Sequence, residues 1–177
     1  MQFDGYSYLV QTVVLAGDTI ANTTTATPFA TKLLIPANTI VEGQVFFIRG
    51  GGSFTTPVSA NRQLDLGISV SFTEGDVVGV TSVTGVPTLA NNPDGMWRAE
   101  GTLIMTRSGD QGLVGGNVTW TLSNTTTATS DVWVNATVGD VSFDTTINNW
   151  VTLFASYGTA HVDNSITMRH LVVLIGL

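Results

Sequence analysis

Leu64-Asp65-Leu66-Gly67-Ile68-Ser69-Val70-Ser71-Phe72 places an apolar residue at every even position and a small or polar one at every odd position. Side chains of a β-strand point alternately to opposite faces, so this period of two marks a strand with one face on a core. Moving outward along the chain, Trp97-Arg98-Ala99-Glu100-Gly101-Thr102-Leu103-Ile104-Met105-Thr106-Arg107 repeats the pattern. It sends Trp97, Ala99, Leu103 and Met105 to one side. Val118, Trp120 and Leu122 alternate with Thr119 and Thr121, and Val132, Val134, Ala136 and Val138 follow the same rule. Further strands are expected near Tyr6–Leu15, Phe29–Ile35, Gln44–Arg49, Val77–Thr81, Val151–Tyr157 and Ile166–Ile175.

Turn signals stand between these runs: Pro36-Ala37-Asn38, Gly50-Gly51-Gly52, Glu74-Gly75-Asp76, Asn91-Asn92-Pro93-Asp94-Gly95, Ser108-Gly109-Asp110 and Asp163-Asn164-Ser165. Gly, Asn and Asp tolerate the backbone conformations that strand ends require. The Thr-rich pieces Asn22–Thr27 and Asn124–Thr129 read as exposed loops or edge strands. No stretch of a dozen residues carries a 3.6-residue apolar period. The expected fold is all-β: an antiparallel β-sandwich, a jelly roll of about eight to ten strands, formed as one domain over residues 1–177.

Composition narrows the function classes. Charged residues make up only 11% of the 177 residues, against roughly a quarter in ordinary soluble domains. The mean hydropathy is +0.29. Such a chain either enters a membrane or covers much of its surface with other protein. The longest apolar runs, such as Leu171-Val172-Val173-Leu174-Ile175, fall far short of the roughly 18 residues a spanning helix needs. The paired aromatic girdles of a membrane barrel are not evident either. The expectation is therefore no membrane partner, and burial against protein. The net charge is −7, Lys32 is the only lysine, and Arg49, Arg62, Arg98, Arg107 and Arg169 stand singly along the chain. That argues against a nucleic-acid partner, which needs a patch to neutralise phosphates. There is no cysteine, hence no disulfide or thiolate metal site. Met1-Gln2-Phe3-Asp4-Gly5 shows no secretory signal.

Residues with chemical potential are few. His161, Asp163 and His170 match no metal-ligand spacing, and His170 falls inside a strand. Asp65, Glu100 and Asp144 lie in or beside strands, yet nothing in the sequence pairs any two across a glycosidase cleft. Glu74-Gly75-Asp76 and Asp94-Gly95 lack the dense spacing of a calcium loop and read as turns. Gly50-Gly51-Gly52-Ser53 is followed by no Lys-Ser/Thr pair, so it is no phosphate cradle, and no Gly-x-Ser-x-Gly nucleophile elbow occurs. The four Asn-x-Thr sequons, at Asn22, Asn117, Asn124 and Asn135, are what a Thr-rich chain produces by chance. Trp133 is out of phase with Val132 and Val134, so it is expected to face outward as an interface anchor. No catalytic residue, no cofactor and no metal site is expected.

One stretch carries a resemblance: Ile35-Pro36-Ala37-Asn38-Thr39-Ile40-Val41-Glu42-Gly43-Gln44-Val45-Phe46-Phe47-Ile48-Arg49-Gly50-Gly51-Gly52-Ser53-Phe54-Thr55-Thr56. It resembles a segment of small jelly-roll virion proteins of tailed bacteriophages. Leu64-Asp65-Leu66-Gly67-Ile68, Trp97-Arg98-Ala99-Glu100-Gly101-Thr102-Leu103-Ile104, Asp144-Thr145-Thr146, Leu153-Phe154-Ala155-Ser156-Tyr157-Gly158-Thr159-Ala160 and Asn164-Ser165-Ile166-Thr167 are similar to later strands of that group, in the same order. Gln44 stands where the group has Asp, and Tyr157 where it has Trp. In the motif, Pro36 and Asn38 stop a strand, Gly43 turns the chain, and either Val45 and Phe47 or Phe46 and Ile48 enter the core.

The resemblance implies a structural, non-enzymatic virion protein, assembled in the host bacterial cytoplasm. The first expectation is a capsid decoration or cement protein, a homotrimer bound to the major capsid protein or other virion proteins. The alternative is a tail-fibre or spike head that binds a host-surface glycan or receptor.

Overall fold

The computed structural model describes residues 9–57, 62–71, 73, 76, 79–88, 92–123 and 132–176; within its strands the side chains of 9–16, 62, 79–88, 92–94, 132, 133 and 138 lie outside that description. The strands are β1 (Leu9–Ala21), β2 (Thr27–Pro28), β3 (Leu33–Ile35), β4 (Val45–Thr56), β5 (Arg62–Ser71), β6 (Gly79–Thr88), β7 (Asn92–Arg107), β8 (Leu113–Ser123), β9 (Val132–Ser142), β10 (Asn149–Tyr157) and β11 (Ser165–Gly176). One sheet has the order β1-β11-β4-β7-β8-β9; the other runs β2-β10-β5-β6, with β3 also paired to β10. Every pairing is antiparallel. β4 pairs β11 in the first sheet, while their chain neighbours β5 and β10 pair in the second. A single antiparallel ribbon thus rolls from sheet to sheet, as in a jelly roll.

The alternating runs supply the core as expected. Leu64, Leu66, Ile68 and Val70 of β5 face Trp97, Ala99, Leu103 and Met105 of β7 and Val118, Trp120 and Leu122 of β8 across the sandwich, all buried. Val134 and Ala136 of β9 pack at its margin. The Phe ambiguity resolves in favour of Phe46 and Ile48, both buried, whereas Phe47 is 46% exposed. At the position where the resembling group has Asp, the Gln44 side-chain oxygen accepts a 2.9 Å hydrogen bond from the Val41 N–H and so still closes the turn before β4. Asn38 adopts φ 59° and Gly109 φ 98°, placing two of the expected turns in the left-handed region.

The structure departs from the sequence expectations in four places. Of the expected Phe29–Ile35 strand only the short rung β3 forms on β10, and a second rung, β2, stands before it, so the described residues form eleven strands. Between them Phe29 turns into the core and stacks on Trp97 at 6.0 Å. Gly50-Gly51-Gly52 is not a turn but the middle of β4, paired on both sides. Likewise Asn92-Pro93-Asp94-Gly95 begins β7, and the Phe54 ring occupies the space where a Gly95 Cβ would stand. Finally, β5 is not half-buried: Ser69 and Ser71 are covered as well, with Ser69 Oγ donating to Asp76 C=O at 3.2 Å and Ser71 Oγ accepting from the Thr73 N–H at 3.0 Å. Asn124–Thr129 lies outside the described residues. Among the described residues no helix is long and apolar enough to cross a membrane.

Candidate binding groove

The register of the six-stranded sheet builds one row of outward positions across four strands. His170 on β11 stands opposite Gly51 on β4, Gly51 opposite Arg98 on β7, and Arg98 opposite Thr121 on β8. The neighbouring row is Val172, Arg49, Glu100 and Thr119. Gly51 has no side chain, so the first row dips. The His170 ring lies over that gap, for a Cβ on Gly51 would come within 2.6 Å of His170 Cε1. Beside that ring lies an open groove of about 700 Å³, walled by Arg49, Arg98, Arg169, His170, Val172 and Met96, with Gly52 and Trp97 also lining it and Thr121 and Ser123 at its far side.

A bulge in β11 supplies two of these side chains. Ile166 and Met168 point into the core, and so do Leu171, Val173 and Ile175, which have the opposite parity. The pairing with β4 shifts between Met168 and His170. Inserting one residue lets Arg169 and His170, adjacent in sequence, both reach the solvent face. The same irregularity presents the Thr167 carbonyl to the interior, where Trp97 Nε1 donates to it at 3.1 Å. Gly52 makes this crossing feasible, since a Cβ there would stand 1.8 Å from the Thr167 oxygen.

The groove is cationic in an acidic protein. Three of the six Lys and Arg side chains line it, although the whole chain carries −7. Glu100 is the acidic residue between them. Arg49 Nε lies 3.3 Å from Glu100 Oε1, and Arg98 Nη2 hydrogen-bonds the same oxygen. All three groups are largely solvated, so these pairs orient the guanidinium groups more than they stabilise the fold. Among the described residues Arg169 makes no ion pair. The expectation that the basic residues stand singly is thereby corrected: strands β4, β7 and β11 bring Arg49, Arg98 and Arg169 to one place.

The other candidates do not converge. His161 sits in the β10–β11 connection with Nδ1 3.5 Å from Asp163 Oδ2, and His170 lies on the sheet face. Among the described residues no three His, Cys, Asp or Glu side chains gather as a metal site. Asp65, on the outer face of the smaller sheet, accepts a hydrogen bond from Ser156 Oγ at 3.3 Å. Asp144 accepts bonds from the Thr146 N–H and hydroxyl in the β9–β10 connection. Glu100 is on the opposite outer face. These three carboxylates occupy three separate surfaces rather than one cleft. Asp94 lies in β7 instead of a turn, and Glu74 and Gly75 lie outside the described residues. The backbone of Trp133 pairs with Thr121, at the end of the groove's own row, while its side chain lies outside the description.

Among the described residues the one large pKa displacement is structural. Tyr157 is buried, its hydroxyl donates to Ser165 C=O at 2.7 Å, and desolvation pushes the phenol well above its ordinary value.

No family model and no curated protein matches this chain. Among solved structures, a peanut lectin with a nine-residue peptide is similar at 8% identity and a TM-score of 0.40, covering 97% of this chain and 91% of the lectin. Lectin I-B4 from Griffonia simplicifolia is similar at 9% identity and a TM-score of 0.37, covering 98% and 94%. The infectious bursal disease virus Gx strain structure is similar at 13% identity and a TM-score of 0.33, covering 97% of this chain and 42% of that one.

Proposed function

We propose that this chain is a non-catalytic structural protein of a virion, a head decoration protein that docks on other protein through the outer face of its six-stranded sheet. One observation carries the reading. At one end of that face Phe47 and Ile104 are 46% and 44% exposed, and Val45 and Leu174 stand opposite them in the ladder. An apolar cluster in solvent, on a chain that is only 11% charged, favours a protein partner over a free surface. The jelly-roll ribbon and the phage-like motif around Ile35–Thr56 agree with the same role.

Two measurements test it. Light scattering on purified protein should report a homo-oligomer, with a trimer expected, and Phe47→Asp with Ile104→Asp should reduce it towards 18.7 kDa with unchanged circular dichroism. Quantitative mass spectrometry of particles from the source phage should find hundreds of copies per virion. A handful of copies would point to a fibre or spike head instead. A wild-type monomer at micromolar concentration, absent from particles, would overturn the proposal.

A further inference from the structure

From the groove beside His170 we infer a second role for the outer face: it binds a carboxylate-bearing saccharide, a sugar acid within a glycan. Three features of the site select this ligand. First, Arg49, Arg98 and Arg169 come from three strands and converge on one concavity. Guanidinium groups match carboxylates with two parallel hydrogen bonds, and Arg169 has no ion-pair partner among the described residues. No acid is among the described residues lining the groove, and Glu100, which pairs with Arg49 and Arg98, leaves the three arginines with an excess of positive charge. Second, the volume of about 700 Å³ falls in the range of sites that hold small molecules, and it is larger than a single acidic side chain would fill. Third, the walls are mixed. Thr121 and His170 offer hydrogen bonds suited to hydroxyl groups, while Met96, 52% exposed, offers an apolar flank suited to the C–H face of a pyranose.

The groove wall explains why the site sits here. Gly51 is the one rung of this row without a side chain, and the His170 ring beds against it where the β11 bulge turns Arg169 and His170 outward together, so missing volume and bulge jointly shape the groove wall. A residue with a Cβ at position 51 would collide with the His170 ring and push it from its seat in the groove wall.

The experiment is isothermal titration calorimetry on the full chain at low salt with four probes. These are a sialylated trisaccharide, a glucuronate-containing tetrasaccharide, the neutral trisaccharide lacking the acid, and poly-glutamate. At least one acidic saccharide should bind, the neutral one should bind at least tenfold more weakly, and raising the salt to about 0.5 M should weaken binding. Arg169→Gln should lower the affinity tenfold or more, with the circular dichroism unchanged because this side chain is exposed. Gly51→Ser gives a second reading of the same cavity, and where it still folds it should lose binding too. Poly-glutamate binding without saccharide binding would reassign the groove to an acidic protein segment and overturn the inference. Binding of no probe, or acidic-sugar binding indifferent to Arg169→Gln, would overturn it as well. Particle copy number is independent of all these titrations, so the failure of the groove and the failure of the decoration role remain distinguishable.

Discussion

Gly52→Ala is the sharpest test of the structure, because the same three glycines read as a turn in the sequence and lie mid-strand in the fold. A Cβ on Gly52 would sit 1.8 Å from the Thr167 oxygen and 3.1 Å from Met168 Cα. Both are backbone atoms of β11, so no rotamer change relieves the contact. Real Cβ contacts essentially never fall below 3.0 Å, so β4 and β11 must part locally by more than about 1 Å. That stretches the adjoining ladder bonds past their usual range of roughly 2.7–3.2 Å. Two such bonds contribute about 1 kcal/mol each. The Trp97 Nε1 donor, which bonds Thr167 C=O across this point, loses its partner in the interior, adding about 1–3 kcal/mol. The expected destabilisation is about 3–5 kcal/mol.

Gly139→Ala in β9 is the matched control. Nothing lies within 4 Å of its built Cβ, and its φ lies outside the left-handed region. Alanine there should be neutral or stabilise by up to about 1 kcal/mol. Urea unfolding followed by tryptophan fluorescence measures both. With a slope of about 2 kcal/mol/M, the Gly52 variant should lose roughly 1.5–2.5 M in midpoint and the Gly139 variant almost nothing. If Gly52→Ala stays within about 1 kcal/mol of wild type, the glycine run is an open turn, and the register that builds the groove is wrong.

Two further outcomes follow from the core. Trp97→Ala should destabilise by about 3–5 kcal/mol, and Trp97→Phe, which keeps most of the ring but drops the donor to Thr167, by about 1–3 kcal/mol, both read from urea midpoints. Tyr157 ties stability to alkaline pH: above the ordinary phenol value of about 10 the unfolded chain releases a proton that the folded chain retains. Unfolding free energy should therefore fall with rising pH above that value, at a slope of up to ~1.4 kcal/mol per unit from this group. In Tyr157→Phe that contribution to the slope should vanish, while the loss of the hydroxyl bond to Ser165 lowers stability at neutral pH.

Much of the fold is legible because half-buried strands impose a period of two that few other structures tolerate. Leu64 to Val70, Trp97 to Met105 and Val118 to Leu122 all enter the core on the expected face. What escapes is set by contacts between distant segments. Nothing local says that Gly50, Gly51 and Gly52 are small because Leu153, His170 and Thr167 need their space. Glycine marks a turn and a close approach with the same letter, and only the partner strand distinguishes them. Ser69 and Ser71 read as solvated for a similar reason, since the alternation alone carries no sign that the outer face of β5 is covered. The groove's arginines lie 49 and 71 positions apart along the chain, so no window of sequence reveals the patch. One signal was present: the inward parity changes between Met168 and Leu171, and such a change within a strand requires a bulge.

That bulge joins the core to the surface. One inserted residue turns Arg169 and His170 outward together and aims the Thr167 carbonyl at the Trp97 indole. Trp97 in turn packs between Phe29 and Trp120, each with its ring centroid 6.0 Å away. The position of the groove wall therefore depends on a part-buried hydrogen bond beneath it. Losing it in Trp97→Phe frees the β11 backbone at Thr167, two residues before Arg169, so the groove should loosen even where the sandwich survives. Substituting an exposed arginine has the opposite signature, because Arg169 contributes charge to the groove and little to the core. Saccharide affinity and unfolding free energy should thus fall together in the Trp97 variant and separate in the Arg169 variant. A Trp97→Phe protein that is destabilised yet binds like wild type would show that the bulge holds its shape without the indole.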